Sequence, residues 1–119
     1  MSPATSIDDL LKNIKKECDV DYVTLISRSG THIGGDVPKK AHVETFVTMA
    51  AILLGAAETA TSELNENLLN VLVNLEKSNI LIRKSGDDAL LAIKMPQNKN
   101  IEDIEEQINN SIEKIKQLL

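Results

Sequence analysis

Apolar residues recur along this chain with a helical period in three segments and form short runs elsewhere. Spacings of three and four residues predict helices over residues 7–17, 40–63 and 101–119. Runs rich in aliphatic and β-branched residues predict strands over residues 22–27, 31–34, 68–76, 80–83 and 89–95. The predicted order is therefore helix, two strands, helix, three strands and helix.

Turn signals join most neighbouring strands, which favours a largely antiparallel sheet. Gly30 can supply the positive φ of a turn between the first two strands, and Ser85-Gly86-Asp87-Asp88 separates the last two. The strand Ala89–Met95 is apolar apart from Lys94, which indicates a central strand covered on both faces. We therefore predict one α+β domain over residues 6–119. It is a three-layer α/β/α sandwich of five mostly antiparallel strands, with the central helix on one face and the terminal helices on the other.

The central helix carries more apolar surface than a single contact with a sheet requires. One stripe at helical spacing is predicted to pack on the sheet, and it consists of Val43, Phe46, Val47, Ala50, Leu53, Leu54, Ala57, Ala60 and Leu64. A second stripe is rich in small residues, and it consists of Thr45, Thr48, Met49, Ile52, Gly55, Ala56, Thr59 and Ser62. Because small side chains allow another helix to approach closely, the second stripe predicts contact with another copy or another protein.

The third predicted strand extends this surface. Leu69, Val71, Val73 and Leu75 share one face of that strand. If the strand lies at the edge of the sheet, its unpaired backbone invites pairing with another chain. A self-complementary patch of helix and edge strand yields a two-fold dimer.

Composition limits the classes of partner. The chain has 119 residues, a net charge of −5 and only 2% aromatic residues, which are Tyr22 and Phe46. Nucleic-acid sites need a basic footprint or aromatic stacking platforms, so no nucleic-acid partner is expected. The apolar run Met49–Leu54 is too short to span a bilayer, which predicts no membrane insertion.

The N-terminal segment and the cysteine content bear on the compartment. Met1–Thr5 has the composition of a frayed leader, and the basic-then-apolar order of a secretion signal is missing. Cys18 is the single cysteine, so neither an internal disulfide nor a cysteine metal site is expected. These features predict a reducing, cytoplasmic location.

No combination of residues predicts catalysis. His32 and His42 are the two histidines, and no further ligands accompany them at metal-binding spacing. The segment Gly30–Gly35 resembles a phosphate loop superficially but lacks the Gly-Lys-Ser/Thr ending. Asp87 and Asp88 are explained by turn chemistry, since general acid–base work needs a cleft and a shifted pKa. We therefore expect no enzymatic activity, no cofactor and no metal.

Three segments of the chain resemble the roadblock / dynein light chain seven family. They are Val23–Gly30, a strand ending in a Ser-x-x-Gly-like turn; Ala51–Glu58, similar to the family's Ala-rich second helix; and the strand triplet from Leu68 to Met95. The resemblance implies a five-stranded antiparallel sheet and a homo- or heterodimer. In that dimer the second helices pack side by side and the third strands pair into a ten-stranded sheet. The implied interface residues are Thr45, Thr48, Met49, Ile52, Gly55, Ala56, Thr59, Leu69, Val71 and Val73.

The same resemblance implies a function. Family members bind small Ras-like GTPases or serve as platforms for them, which predicts a non-catalytic dimeric scaffold or regulator. Two alternatives stay open: a small-molecule sensor module with a pocket between helix and sheet, and an adaptor that clasps a partner chain as the dynein subunits do. The two arginines, Arg28 and Arg83, lie at a turn and near a strand end, where structural or solvated roles are expected rather than that of an arginine finger.

Overall fold

Residues 6–119 are described by the computed structural model, and the predicted leader Met1–Thr5 lies outside them. The elements are α1 (Ile7–Glu17), β1 (Tyr22–Ser27), β2 (His32–Gly35), α2 (Val43–Thr61), β3 (Val71–Asn74), β4 (Ser78–Ser85), β5 (Ala89–Pro96) and α3 (Ile101–Leu118). The predicted order of elements is confirmed. Helix α1 begins after Ser6, whose hydroxyl accepts a hydrogen bond from the Asp9 backbone N–H at 3.1 Å, as an N-cap does.

The five strands form one sheet in the order β2-β1-β5-β4-β3, and every neighbouring pair is antiparallel. β5 is central, as its apolar composition predicted. β2 and β3 form the two edges. The register of β1 and β2 shifts between Leu25 and Ile26, which marks an irregularity in that edge pairing.

Two cores lie on opposite faces of the sheet. On one face, α1 and α3 pack side by side over alternate residues of the strands, including Leu25, Leu81 and Leu91. On the other face, α2 packs over Ile26 and Leu90. Successive strand residues point to opposite faces, so the same strands supply both cores. The predicted three-layer arrangement is confirmed.

Three elements differ from the prediction by two or more residues at an end. α2 begins at Val43 rather than Lys40, because the Ala41 backbone N–H donates to Pro38 O at 2.9 Å and closes a separate turn before the helix. β3 covers only Val71–Asn74 instead of residues 68–76. β4 begins at Ser78, within the predicted turn, since the Leu75 N–H already donates to Ser78 O at 2.8 Å and leaves a two-residue connection.

The predicted sheet-facing stripe of α2 is also too wide. Val47, Ala50 and Leu54 are buried as expected, and Ala51 is buried with them. Leu53, which was assigned to the sheet, is 42% exposed. Four further residues of the stripe do not pack on the sheet as predicted. Val43 and Ala60 are exposed, Ala57 is only partly buried, and Leu64 is exposed and lies beyond the end of the helix. The helix therefore rests on the sheet along a narrow line, which leaves apolar side chains on its flanks outside the sheet contact.

Candidate functional site on helix α2 and strand β3

The two faces of the sheet are covered unequally. Strands lie about 4.8 Å apart, so five of them span about 19 Å, whereas a helix with its side chains is about 10 Å across. Two helices cover one face, and α2 alone covers the other. α2 is centred on β1, β5 and β4 through its contacts with Ile26, Leu90 and Ile82. The edge strand β3 is therefore only half covered on this side.

An apolar groove runs along the uncovered strip. It has a volume of about 310 Å³ and lies between the α2 side chains Phe46, Met49 and Leu53 and the sheet residues Val73 and Ile80. Val73 and Ile80 are cross-strand partners in β3 and β4, which sets them side by side on the floor of the groove.

Most of the exposed large apolar side chains belong to α2, to β3 or to the residues that flank these two elements. Among residues 6–119, the exceptions are Ile33, Leu118 and Leu119, and all others lie between positions 43 and 75. Met49 is 48% exposed, Ile52 is 52% exposed and Leu69 is 67% exposed. We call Met49, Ile52, Leu53, Val71 and Val73 the α2–β3 face. Met49, Leu53 and Val73 of this face line the groove, and an apolar surface open to solvent is typical of an interaction site.

The open edge of β3 offers backbone hydrogen-bonding groups to a partner. The Leu75 N–H donates to Ser78 O, and opposed residues in an antiparallel ladder alternate between hydrogen-bonded and non-hydrogen-bonded pairs. The pairs Val73–Ile80 and Val71–Ile82 are therefore hydrogen-bonded. It follows that the N–H groups of Leu72 and Asn74 point away from β4, toward the open edge.

The opposite flank of α2 contacts the β1–β2 turn of the same chain. Gly30 in this turn approaches the Thr48 backbone. Next to it, the Arg28 guanidinium forms an ion pair with the Glu58 carboxylate, and both side chains are partly buried. This flank is therefore held to the turn and faces away from β3.

The predicted interface residues divide between the two flanks. At 100° per residue, Thr45, Met49, Ile52 and Ala56 lie on the outward and groove side of α2. Thr48, Gly55 and Thr59 lie toward the β1–β2 turn. Val71 and Val73 lie in β3, whereas Leu69 is outside the strand and Leu68 packs against the α2 core in its place. Which of the ten residues contact a partner stays a prediction.

Phe46 and Leu53, which were both predicted to pack on the sheet, border the groove. Phe46 is partly buried against the α2 core, whereas Leu53 is exposed. Their spacing to Met49 carried a signal: Phe46, Met49 and Leu53 follow one another by three and four residues and therefore lie along one side of a helix. The sequence did not show that the sheet ends beneath that side, because strand order is not encoded locally.

Neither arginine is free to enter another protein's active site in this structure. Arg28 pairs with Glu58, and Arg83 is buried among Asn70, Glu105 and Asn109. His32 Nε2 lies 2.9 Å from Gly35 O, and His42 borders the groove. Within residues 6–119, no three His, Cys, Asp or Glu side chains come together as metal ligands would.

Helix α2 is longer than the apolar run Met49–Leu54 on which the prediction of no membrane insertion rests. Over Val43–Thr61 it is long and apolar enough to cross a membrane by length and composition alone. Core helices of folded domains meet the same two criteria. Val47, Ala50 and Leu54 pack on the sheet, and 22% of the apolar segment is buried in this way.

The family model of the Roadblock/LC7 domain matches residues 6–95, which cover α1 to β5. The chain belongs to the Roadblock/LC7 family. The resemblance found in the sequence is thereby confirmed, and the role of such domains is generally regulatory and non-catalytic. No sequence among curated proteins matches the chain significantly.

Solved structures of roadblock proteins share the fold at low sequence identity. Myxococcus xanthus MglB superposes with a TM-score of 0.85 at 13% identity, over 98% of this chain and 97% of that one. The gliding protein MglB of Thermus thermophilus gives a TM-score of 0.79 at 18% identity, over 96% and 88%. A Roadblock/LC7 domain from Streptomyces avermitilis gives 0.80 at 13% identity, over 93% and 95%. The likeness shows that this roadblock domain has the fold of those proteins.

Proposed function

We propose that this roadblock domain is a non-catalytic dimeric regulator that binds a small Ras-like GTPase and modulates its nucleotide cycle or its localisation. The observation that carries the proposal is the α2–β3 face, an apolar surface beside an open sheet edge. Membership of the Roadblock/LC7 family supports a regulatory role. The resemblance to a family whose members bind small Ras-like GTPases, or serve as platforms for them, supports the GTPase as the partner.

The dimer follows from the unequal covering of the sheet. A second copy related by a two-fold axis sets its own α2 beside the first, so that each helix covers the strip of sheet that the other leaves bare. The two β3 strands then pair through the outward groups of Leu72 and Asn74. The helix contact involves the exposed side chains of Met49, Ile52, Leu53 and Ala56. A paralogous roadblock domain with the same surface forms the heteromeric version of this dimer.

The GTPase then binds a surface that the helix pair creates. We propose that regulation works through ordering of the GTPase's own switch loops, because both arginines are engaged in internal ion pairs. Such a regulator needs no residue of its own at the nucleotide.

The dimer is tested first by mass. Sedimentation velocity over a range of concentrations is expected to give the mass of two chains. A strictly monomeric chain at high concentration would refute the dimer and with it the proposed function.

The GTPase is tested in a second experiment. The small Ras-like GTPases of the source organism are loaded separately with GDP and with a non-hydrolysable GTP analogue, and each is mixed with this protein on a size-exclusion column. Co-elution with at least one loaded form is expected. Absence of any complex, with the dimer intact, would leave a homodimer whose partner belongs to another class.

The alternative function as a sensor module rests on the same groove. Its volume of about 310 Å³ lies at the lower end of small-molecule sites, and His42 and Thr45 are the polar residues that border it. A rise in melting temperature with a panel of apolar metabolites, lost when Leu53 is replaced by Gln, would favour this function. The adaptor alternative predicts instead that an extended peptide pairs with β3.

A further inference from the structure

Arg83 is a charged side chain buried beneath α3. The residue is 6% exposed, and each of its three guanidinium nitrogens donates a hydrogen bond to a side chain. Nε donates to Asn70 Oδ1 at 2.7 Å, Nη1 to Asn109 Oδ1 at 2.9 Å and Nη2 to Glu105 Oε1 at 2.8 Å. Burying a guanidinium is costly unless it is paired and fully hydrogen-bonded, so the three partners explain how the charge is tolerated.

Asn70 lies at the point where pairing of the edge strand stops. The last registered pair of the β3–β4 ladder is Val71 with Ile82, and continuing that register sets Asn70 opposite Arg83. The registered ladder ends one residue before this position, and the bond from Arg83 Nε to the Asn70 side chain joins the two strands there. Arg83 therefore holds the start of β3 to β4.

The other two partners connect the same guanidinium to α3. Glu105 and Asn109 are four residues apart and so lie on one side of that helix. The Glu105 side chain is 41% exposed, so solvent reaches the outer end of the network. One planar group thus links the position of α3 to the start of the edge strand, from the sheet face opposite α2.

We propose that Arg83 is a positioning residue for dimerisation, which couples the docking of α3 to the alignment of β3 for pairing with a second copy. The proposal rests on the dimer of the proposed function. The Arg83 side chain lies on the other side of the sheet from α2, so it makes no contact with the second helix. Its effect reaches the partner through β3. A partner protein that displaces α3 would then loosen the dimer.

The test compares four variants of the full chain. Arg83→Met removes the hydrogen bonds while retaining an unbranched side chain, and Asn70→Ala removes the bond to the β3 connection alone. Asn109→Ala removes one of the two hydrogen bonds between Arg83 and α3, at an exposed position. This variant should fold, so it tests the proposal even if Arg83→Met does not fold. Lys84→Met is the matched control, because it neutralises the neighbouring β4 residue, whose exposed side chain pairs with Asp87.

Two measurements distinguish an effect of Arg83 on the alignment of β3 from an effect on the stability of the whole domain. The dimer dissociation constant is expected to rise about tenfold in Arg83→Met, Asn70→Ala and Asn109→Ala, and to stay unchanged in Lys84→Met. Amide hydrogen exchange at Val71 and Val73 is expected to accelerate in the three affected variants while that at Leu91 and Ile93 in central β5 does not. Combining Asn70→Ala with Arg83→Met is expected to add little to the loss from Arg83→Met alone, since both remove one link.

Unchanged exchange at Val71 and Val73 in both Arg83→Met and Asn109→Ala would overturn the proposal. Equal acceleration in β3 and β5 would overturn it as well, because the network would then act only on global stability. If the wild-type chain is monomeric, the proposed dimer fails. The exchange measurement on β3 then still decides whether Arg83 aligns that strand.

Discussion

Gly30 in the β1–β2 turn lies directly against Thr48 of α2. A Cβ on Gly30 would come within 3.1 Å of Thr48 Cα, which is backbone and cannot swing away. Gly30 also has a φ of +92°, a conformation that L side chains rarely adopt. The contact fixes the flank of α2 that faces away from β3, and so it fixes which side of the helix remains free for a partner.

Replacing Gly30 with Ala is expected to destabilise the protein by about 1–3 kcal/mol, since the new methyl group meets backbone and the positive φ becomes strained. Chemical denaturation measures the change in the free energy of unfolding. Gly55→Ala is the matched control: a Cβ there meets nothing within 4 Å, and Gly within a helix is worse than Ala by about 0.5–1 kcal/mol. Both changes are measured in a monomeric background. Equal effects of the two substitutions would contradict the packing described for the turn.

Ile52→Glu is expected to abolish dimerisation, because the dimer would bury a carboxylate without a partner between two helices. The monomer should tolerate the change, since Ile52 is exposed. Sedimentation velocity measures the mass of each variant. Leu118→Glu is the control, as Leu118 is similarly exposed at the end of α3, away from the α2–β3 face. An unchanged sedimentation coefficient for Ile52→Glu would remove Ile52 from the interface.

Pairing of β3 strands makes a residue-specific prediction for hydrogen exchange. In the dimer, the outward N–H groups of Leu72 and Asn74 are expected to be protected because they bond to the partner's strand. In the monomeric Ile52→Glu variant they should exchange rapidly, whereas Val71 and Val73, whose N–H groups face β4, should remain protected. NMR-detected exchange resolves the four amides. Fast exchange of Leu72 and Asn74 in the wild-type dimer would mean that the copies associate without joining their sheets.

Cys18 is expected to be unreactive in the folded protein. The residue is 2% exposed, and its Sγ donates to Gln107 Oε1 at 3.2 Å. Burial raises the pKa of the Cys18 thiol above its ordinary value of 9.0; the Glu17 carboxylate adds to this and Lys99 opposes it. At pH 7, a thiol reagent should therefore modify Cys18 only when the fold opens, and much more slowly than in the denatured chain.

The same pKa shift predicts a pH dependence of stability. Above pH 9.0 the unfolded thiol loses its proton while the folded one retains it, so the free energy of unfolding falls as pH rises through that range. Cys18→Ala should show a shallower fall than the wild type. The difference between the two proteins isolates the thiol from other groups that titrate there. Parallel curves would show that burial does not disfavour the thiolate.

Local patterns in the sequence determined the elements of this protein. Helix α1 has an apolar face formed by Leu10, Leu11 and Ile14, and strand β5 is an apolar run. Each pattern shows that the element must pack against something apolar, wherever in the fold it lies. The helical and strand periods depend only on residues close together in the chain, so they can be recognised in the sequence without knowing the fold. The central position of β5 was predictable for the same reason, because only a strand covered on both faces can be apolar throughout.

Only the tertiary structure decided which apolar surface stays bare. Leu53 and Leu54 are adjacent and equally apolar, yet Leu54 is buried and Leu53 borders the groove, because the sheet ends beneath one side of α2. The shortness of β3 and the burial of Arg83 depend likewise on contacts between Asn70, β4 and α3, which lie far apart in the chain. Sequence fixes the period and character of each element through short-range geometry. Strand order and the reach of a helix across a sheet arise from long-range packing, which no local pattern encodes.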